Sequence, residues 1–387
     1  TMANNNDNKV LNVPHLRFPE FSGEWKMCTI GELTTKVGSG VTPRGGEAVY
    51  KTEGHPFVRS QNVGLGNLLL DDIAFIDEET HLRQKSTELQ FNDVLLNITG
   101  ASIGRSALVD KQIVGGNVNQ HVCIIRTKEN LVPSFICSFL LSNYGQRQID
   151  SFQAGGNRQG LNFEQIKSIK ITIPSKDEQI KIAKLLRAID ERIATQNKII
   201  DKLQSLIKGL RVCCMQRNGS DNVYLSEIAQ IYQPQTISSA ELTEDGFLVY
   251  GANGIIGKYK DYNHKTEQIC ITCRGNTCGM VNYTKPMSWI TGNAMVINTD
   301  KYQDKVYKKY LYHYLSAYNF NSIISGSGQP QIVRTPLEKL KITLPTISEQ
   351  KQKAMILDKI QDKIDINHNV LNLYILQKQY LLRQMFI

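Results

Sequence analysis

The chain has 387 residues, of which 45 are basic and 36 acidic, giving a formal net charge of +9. Its composition is typical of a soluble globular protein, and its length suits two or three domains. No apolar run could span a membrane, no signal peptide is recognisable, and the eight cysteines lack paired spacing. We therefore expect a cytoplasmic protein with reduced thiols and no membrane partner.

The charge is unevenly distributed along the chain. Residues 1–172 carry 17 basic and 17 acidic side chains, whereas residues 173–217 carry 10 and 5. Excess positive charge favours an acidic partner such as nucleic acid. The balanced first stretch weakens that inference unless its basic loops gather on one side.

The first half of the chain alternates short elements with polar loops. Residues 1–12 are rich in Asn and predicted to be disordered, and the aromatic side chains from Phe18 to Trp25 should hold the N-terminus against the first globule. Periodicity and turn residues predict helices over 30–37 and 133–152, and strands over 57–63, 93–99 and 122–126.

The second half repeats this plan loosely. We predict helices over 225–232 and 305–318, and strands near Val249 and over 269–273. The glycines suggest how the copies correspond: Gly100 matches Gly275 and Gly104 matches Gly279, whereas Gly292-Asn293 is matched to Gly116-Asn117. The shifting offset indicates insertions in loops.

A long helix pattern occurs twice, 171 residues apart and without a gap. Each copy follows a short strand (169–173 and 340–344) and a Pro, and begins with a predicted capping box, Ser175 with Glu178 and Thr346 with Glu349. Apolar residues then recur in steps of four and three, the spacing of a coiled-coil seam. The seam residues include Ile182, Leu186, Ile189, Ile193, Ile200 and Leu203, and later Leu357, Ile360, Ile364 and Leu371.

This repeat predicts a domain duplication rather than a solenoid. The predicted segments are a globule at 1–174, a long helix at 175–217, a second globule at 218–345 and a second long helix at 346–387. The fold class is α+β: two mixed α/β domains with β cores, separated by two long antiparallel helices packed as a coiled coil, with a pseudo-two-fold internal repeat. At 1.5 Å per residue, about 37 helical residues span roughly 55 Å and could act as a rigid spacer.

Catalytic motifs are mostly missing. The chain has no Pro-Pro pair, which the Asn/Asp-Pro-Pro-aromatic motif of an amino-methyltransferase requires, and no phosphate-binding loop. Cys270, Cys273 and Cys278, with His264 nearby, leave a Zn-dependent nucleic-acid enzyme open as an alternative. Leu95, Ile98 and Ile103 occupy the matching places in the first copy, which favours small core residues instead. A coiled-coil structural adaptor without a DNA role is a third interpretation.

Polar loops at strand ends offer a different chemistry. Arg pairs bidentately with guanine, and Asn or Gln with adenine, so these side chains are candidates for reading DNA base edges. Solvated loop residues are the alternative interpretation, and core packing is the alternative for the tyrosines. The candidate DNA-binding residues are Arg44, Arg59, Gln61, Asn62, Arg105, Asn117, Asn119, Gln120, Arg158 and Gln159 in the first copy, and Tyr250, Asn253, Arg274, Asn276, Asn293, Gln329 and Gln331 in the second.

Taken in order, these motifs resemble a known family. The motifs that carry the resemblance are Leu16-Arg17-Phe18-Pro19-Glu20-Phe21, Gly100-x3-Gly104-Arg105, Asn117-x-Asn119-Gln120-His121 and the duplicated strand–Pro–box–helix with Glu-Gln at 178–179 and 349–350. With these motifs the chain is similar to the specificity subunits of type I restriction–modification systems. The resemblance covers nearly the whole chain.

The resemblance implies two target-recognition domains, each reading one half of a split site in double-stranded DNA. It implies that the helices set the spacing and dock two modification subunits through the seam residues named above. Those subunits would bind S-adenosylmethionine and methylate adenine, and restriction subunits would use ATP and Mg. The chain itself would hold no cofactor or metal and would not be catalytic.

Overall fold

A computed structural model describes residues 12–153, 160–215, 221–252, 254–326 and 328–387. The chain divides into two compact units: Thr1–Gln196 with Val370–Ile387 form the first, and Asn197–Asn369 form the second. Within the described ranges, no helix combines the length and the apolar character needed to cross a membrane.

The elements that precede the first long helix are short. The strands are β1 (Lys26–Thr29), β2 (Thr34–Ser39), β3 (His55–Val58), β4 (Ala74–Ile76), β5 (Val94–Asn97), β6 (Ser106–Leu108), β7 (Asn117–Val118), β8 (Val122–Thr127) and β9 (Lys170–Ile173). The helices are α1 (Glu78–Arg83), α2 (Pro133–Leu141), α3 (Asn143–Ser151) and α4 (Phe163–Ser168), followed by the long α5 (Lys176–Met215).

The second half contains a similar series. Its strands are β10 (Asp221–Tyr224), β11 (Gln230–Tyr232), β12 (Phe247–Gly251), β13 (Gly254–Tyr259), β14 (Ile269–Thr272), β15 (Val281–Tyr283), β16 (Trp289–Ile290), β17 (Ala294–Asn298) and β18 (Lys341–Leu344). Its helices are α6 (Lys308–Ala317), α7 (Arg334–Glu338) and α8 (Ile347–Gln384).

The first unit is built around a four-stranded antiparallel sheet of order β2-β8-β5-β6. Alternate residues of β5 pack into different clusters: Val94 and Leu96 contact the side that includes α2, whereas Leu95 contacts the side that includes Val58 and Val118. Because both faces of the sheet are covered, its central strands are apolar throughout. A second sheet, β4-β3-β7, and the pair β1-β9 complete the unit.

The second unit has the same topology. Its sheets are β11-β17-β14-β15 and β13-β12-β16, with the pair β10-β18. The parallel pairing of β12 with β16 matches that of β3 with β7. The α+β duplication predicted from the sequence is therefore confirmed.

The seam residues of the long helices are buried within the chain. Ile182, Leu186 and Ile189 complete the core of the first unit together with Leu381 of α8 and Met385, which follows the helix. In the second unit, Leu203 and Ile207 of α5 pack with Leu357, Ile360 and Ile364 of α8. Ile200 is also buried, and Ile193 and Leu371 are half-buried. The seam prediction is confirmed, and its fully buried side chains are not available to a partner.

The two long helices run antiparallel in the first unit. Asp190 of α5 pairs with Lys378 of α8 at 2.5 Å, and two residues later Arg192 lies over the ring of Tyr374. Moving forward on α5 therefore moves backward on α8. The predicted boundaries at 175 and 346 fall beside the helix starts, but the structure divides each helix between the units instead of setting it apart.

The two helix starts are stabilised differently. Thr346 and Glu349 form the predicted capping box, since Glu349 accepts from the Thr346 backbone N–H at 3.1 Å and Thr346 accepts from that of Glu349 at 3.4 Å. Ser175 accepts from the Glu178 N–H at 3.4 Å, but the buried Glu178 carboxylate pairs bidentately with Arg17 at 2.8 Å. The first box is thus only half correct, because Arg17 competes for its carboxylate. This contact also helps to hold the N-terminal segment, as the aromatic pattern predicted; residues 1–11 lie outside the described part.

Three predicted helices are wrong in part. Residues 30–37 form a single turn at Gly31–Leu33 followed by β2, and residues 225–232 form a turn at Leu225–Glu227 followed by β11. In both copies, pairing with a distant strand, β8 or β17, overrides the local pattern. The helix predicted over 133–152 is broken at Ser142, whose extended backbone ends α2 and whose hydroxyl caps α3.

Candidate nucleic-acid interface

Three polar segments of the first unit converge on one cavity of about 440 Å3. Its lining includes Ser60 and Gln61 after β3, Thr99 and Arg105 in the turn after β5, and His121 before β8. These residues come from the three polar clusters that the sequence indicated separately. We call residues 60–61, 99–105 and 121 the first loop cluster.

Two glycines shape the turn of the first loop cluster. Gly100 and Gly104 have φ of +71° and +84°, a conformation that side chains with a Cβ rarely adopt. The turn is closed by paired backbone hydrogen bonds, from Gly104 N to Asn97 O at 3.0 Å and from Asn97 N to Arg105 O at 2.9 Å. It leaves Arg105 exposed at the start of β6.

Buried and half-buried polar groups hold the segments of this cluster together. The Asn97 side chain, with no exposed area, donates from Nδ2 to the carbonyl of Ser60 at 2.8 Å and to the hydroxyl of Ser102 at 3.1 Å. His121 shares a hydrogen bond of 2.6 Å between its Nδ1 and the Thr99 hydroxyl. Its carbonyl accepts from the Ile98 N–H at 3.0 Å. The imidazole is therefore oriented next to the turn.

The second unit builds a matching set of loops. Gly275 and Gly279 have φ of +85° and +92°, and Gly279 N donates to Thr272 O at 2.9 Å. Cys273 N donates to the carbonyl of Asn293 at 3.0 Å, as Ile98 does to that of His121. We call residues 252, 274–280, 293 and 329–331 the second loop cluster.

The structure corrects how the two copies correspond. Asn293 occupies the place of His121, not of Asn117, because β16 pairs with β12 through Trp289 and Ile290 as β7 pairs with β3 through Asn117 and Val118. The predicted match of Gly292-Asn293 to Gly116-Asn117 is therefore wrong. The matches of Gly100 to Gly275 and of Gly104 to Gly279 are confirmed by their equal backbone conformation.

Most of the candidates in the second unit are exposed and lie together. Arg274 and Gln331 face each other across a backbone bridge, and Gly275 N donates to Pro330 O at 3.0 Å. The exposed candidate residues of the second loop cluster are Arg274, Asn276, Asn293, Gln329 and Gln331. Exposed guanidinium and amide groups in this arrangement could hydrogen-bond to base edges.

The family model for the type I restriction modification DNA specificity domain matches residues 22–205 and 218–373. The chain belongs to this specificity-domain family. It is 22% identical to the putative type I restriction enzyme MjaX specificity subunit of Methanocaldococcus jannaschii, over 90% of this chain and 89% of that one. It is 32% identical to the EcoprrI specificity subunit of Escherichia coli, but over only 35% and 34% of the two chains.

Solved structures agree with this membership of the specificity-domain family. The type I restriction–modification S subunit of M. genitalium superposes with a TM-score of 0.66 and 17% identity, covering 97% of this chain and 99% of that one. A chain from a study of complex assembly and conformational transition of the type I restriction–modification system gives 0.57 and 16%, over 92% and 96%. At these identities the likeness concerns the fold. By its family the chain is a type I specificity subunit.

Several candidate DNA-binding residues of this specificity subunit are internal, and for these the structure corrects the prediction. Asn62 and Asn117 have no exposed area, and Asn119 and Tyr250 are buried. Asn117 bonds to His81 and Gln84, whereas Asn119 accepts from the His121 N–H at 3.0 Å. The side-chain amides of Asn117 and Asn119 already bond to other protein groups, so these two residues support the loops.

Arg59 and Tyr250 also have structural contacts. The half-buried Arg59 guanidinium donates to the Asp72 backbone at 2.6 Å and pairs with its carboxylate at 3.2 Å. The Tyr250 hydroxyl accepts from Lys285 N at 3.1 Å, and burial raises the pKa of this phenol. Neither side chain is free for a base. Arg44 and Arg105 are exposed, whereas the exposed Gln61 donates to the Asp72 carboxylate and the exposed Gln120 accepts from Thr42 N at 3.0 Å.

Other side chains that line the cavity of the specificity subunit were not predicted from the sequence. Ser60, Thr99, Ser102 and His121 line it but were not among the candidates. His121 ended the polar run Asn117-x-Asn119-Gln120-His121, so its neighbours were the available signal. Candidates Arg158, Gln159 and Asn253 lie outside the described residues.

The cysteine alternative is not supported. Cys270 packs with Ile290 and Val296, whereas Cys273 packs with Ile269 and Ile271 in a different cluster. Burial raises the pKa of Cys270 to about 12, as expected for a thiol packed among apolar side chains. Both His264 nitrogens are engaged, by Tyr232 at 2.8 Å and Asn263 at 2.6 Å. No group of three or more His, Cys, Asp or Glu within the described ranges is placed to hold a metal ion.

Proposed function

We propose that this specificity subunit reads a split site in double-stranded DNA, with one loop cluster for each half. The observation that carries the proposal is the duplication of the loop cluster itself: each unit presents exposed polar side chains at the same glycine turn beside the same strands. Two copies with different side chains would read two different short sequences.

Catalysis would then belong to partner subunits. The resemblance implies two modification subunits that bind S-adenosylmethionine and methylate adenine, and restriction subunits that use ATP and Mg. In that assembly, this chain would select the DNA sequence on which the partner subunits act. Phosphate contacts made by the partners would offset the balanced charge of its first globule.

Exposed apolar residues on the long helices support docking of the modification subunits. Leu373, Leu376 and Tyr380 of α8 are 64%, 59% and 57% exposed. They are spaced by three and four residues, so they share one face of the helix. This face differs from the buried seam, so the docking surface proposed here lies on other residues than those predicted from the sequence.

The function is tested by coexpressing the chain with modification subunits in cells that lack adenine methylation, followed by methylome sequencing. We expect one motif made of two short specified blocks separated by unspecified base pairs. Footprinting of the purified complex should protect two patches around an unprotected middle. Methylation or protection without sequence preference would instead support the structural adaptor.

The docking surface is tested by the double variant Leu373→Glu with Leu376→Glu. It should lose copurification of the modification subunit while its melting temperature stays near that of the wild type, because both side chains are exposed. Asn372→Glu with Gln379→Glu adds the same charges on an adjacent polar face and serves as the control. Unchanged copurification of the Leu variant would exclude this surface.

A further inference from the structure

Each loop cluster is held by the same kind of buried clamp, made by different residues. In the second unit, the Thr272 hydroxyl donates to the carbonyl of Ala252 at 2.5 Å, and the Thr277 hydroxyl donates to the same carbonyl at 3.0 Å. In the first unit, Asn97 donates to the carbonyl of Ser60 and to Ser102. We call these groups, Asn97 with Ser60 and Ser102, and Thr272 with Ala252 and Thr277, the turn clamps.

The members of the two turn clamps occupy equivalent places in the fold. Asn97 ends β5 and Thr272 ends β14, and each closes its glycine turn through the same backbone hydrogen bonds. Ser60 and Ala252 follow β3 and β12, which pair in parallel with β7 and β16. An amide in one copy and a hydroxyl in the other therefore make the same contact.

Because the clamp donors are buried, loss of this contact is energetically unfavourable. Asn97 and Thr272 have no exposed area, so water does not replace a lost donor. Without Asn97, the Ser60 carbonyl and the Ser102 hydroxyl would lose this donor. Without the Thr272 hydroxyl, the Ala252 carbonyl would keep only Thr277, and in both cases the loops would shift to compensate. The clamp thus ties the turn to the end of the neighbouring strand of the other sheet.

The exposed and half-buried positions on this shared frame differ in chemistry between the copies. Equivalent pairs are Thr99 and Arg274, Ala101 and Asn276, and His121 and Asn293, while Arg105 corresponds to Met280. Arg105 and Arg274, each beside a glycine turn, therefore occupy different places. The same backbone arrangement with different side chains in each copy suits the recognition of two unrelated half-sites.

We propose that Asn97 and Thr272 are positioning residues for DNA reading, and that the pairs Thr99/Arg274, Ala101/Asn276 and His121/Asn293 determine specificity. This inference rests on the proposed function of the two loop clusters. Discrimination between bases needs hydrogen-bonding groups held in a defined geometry. Loss of a turn clamp should therefore weaken the base preference at the half-site that its own loop cluster reads.

The test uses the complex with modification subunits and a library of duplexes that carry two randomised blocks. Asn97→Leu should lower the base preference in one block by at least about tenfold and leave the other block unchanged. Thr272→Val should do the reverse, and Thr272→Ser, which keeps the hydroxyl, should retain the wild-type preference in both blocks.

Two controls separate positioning from general destabilisation. Ser106→Ala and Thr284→Val each remove a buried hydroxyl outside the clamps and should leave both preferences intact, whatever they do to the melting temperature. Unchanged base preferences in Asn97→Leu, or an equal loss of base preference in the control variants, would overturn the positioning role but not the proposed function. A wild-type complex that enriches no sequence would overturn the proposed function.

Discussion

At the scale of single residues, two buried glutamines make the same three hydrogen bonds. Gln179 accepts from Val132 N at 2.9 Å and donates to Asn130 O and Pro174 O. Gln350 accepts from Tyr307 N at 2.7 Å and donates to Lys305 O and Pro345 O. Each glutamine ties the start of a long helix to the chain segment that leads into α2 or α6.

Replacing Gln350 by Leu should therefore destabilise the second unit by about 2–4 kcal/mol, because an N–H and two carbonyls lose their buried partner. Urea unfolding of the variant measures this. Gln352→Leu, at an exposed position on the same helix, is the matched control and should change stability by less than about 0.5 kcal/mol. Equal stability of the two variants would contradict the role given to Gln350.

A buried histidine should give the second unit a defined pH dependence. Burial lowers the pKa of His264 below its ordinary value of 6.5, and Lys308 adds to this while Asp300 opposes it. The folded state thus keeps the imidazole neutral where the unfolded chain binds a proton. The stability that His264 contributes is present above pH 6.5 and is lost as the pH falls through the folded pKa.

His264→Gln should accordingly flatten the loss of stability between pH 7 and pH 5, since the variant has no imidazole to protonate. Urea midpoints of both proteins at pH 7, 6 and 5 provide the measurement. Taking the difference between the two proteins removes the titration of the other groups. A constant difference across this range would show that His264 does not contribute in this way.

At the scale of elements, the glycine turns decide which side chains reach solvent. Arg105 and Arg274 leave their turns at different points and are both exposed, whereas Arg59 is held by Asp72. The two exposed arginines therefore remain the strongest predicted base contacts. Each belongs to only one loop cluster.

We predict that Arg105→Ala relaxes the specificity of one half-site and Arg274→Ala that of the other, each by about 1–3 kcal/mol per affected base pair. Methylome sequencing of cells carrying each variant would show which half of the motif broadens. Arg83→Ala and Arg334→Ala remove exposed arginines with ion-pair partners on short helices, so they serve as controls. Equal broadening of both halves by one variant would contradict the assignment.

At the scale of the whole molecule, the sequence predicts that the long helices set the distance between half-sites. Removing residues 193–196 and 364–367 shortens both helices by about 6 Å, close to two base pairs. We expect the unspecified gap of the motif to change, and methylome sequencing reports it directly. Thr195→Ala with Asp365→Ala keeps the length and should keep the gap. An unchanged gap in the deletion variant would argue against the spacer.

Periodic and strictly local features could be predicted from the sequence of this protein. The duplicated strand–Pro–helix, the seam of α5 and α8 and the buried strands β5 and β14 are all repeated patterns of apolar residues. The glycine turns at Gly100 and Gly275 were recognisable because a positive φ favours residues without a Cβ. These signals depend only on neighbours along the chain.

Tertiary structure alone decided which polar residues face outward. Asn117 and Arg105 look equally suited to contact DNA, yet pairing of β7 with β3 buries the first, and the turn before β6 exposes the second. Pairing of β5 with β8 likewise brings Thr99 to His121. Asn97, at the end of β5, contacts Ser60, which follows β3. A side chain's role here depends on which distant strand lies beside it, and hydrophobic periodicity does not carry that information.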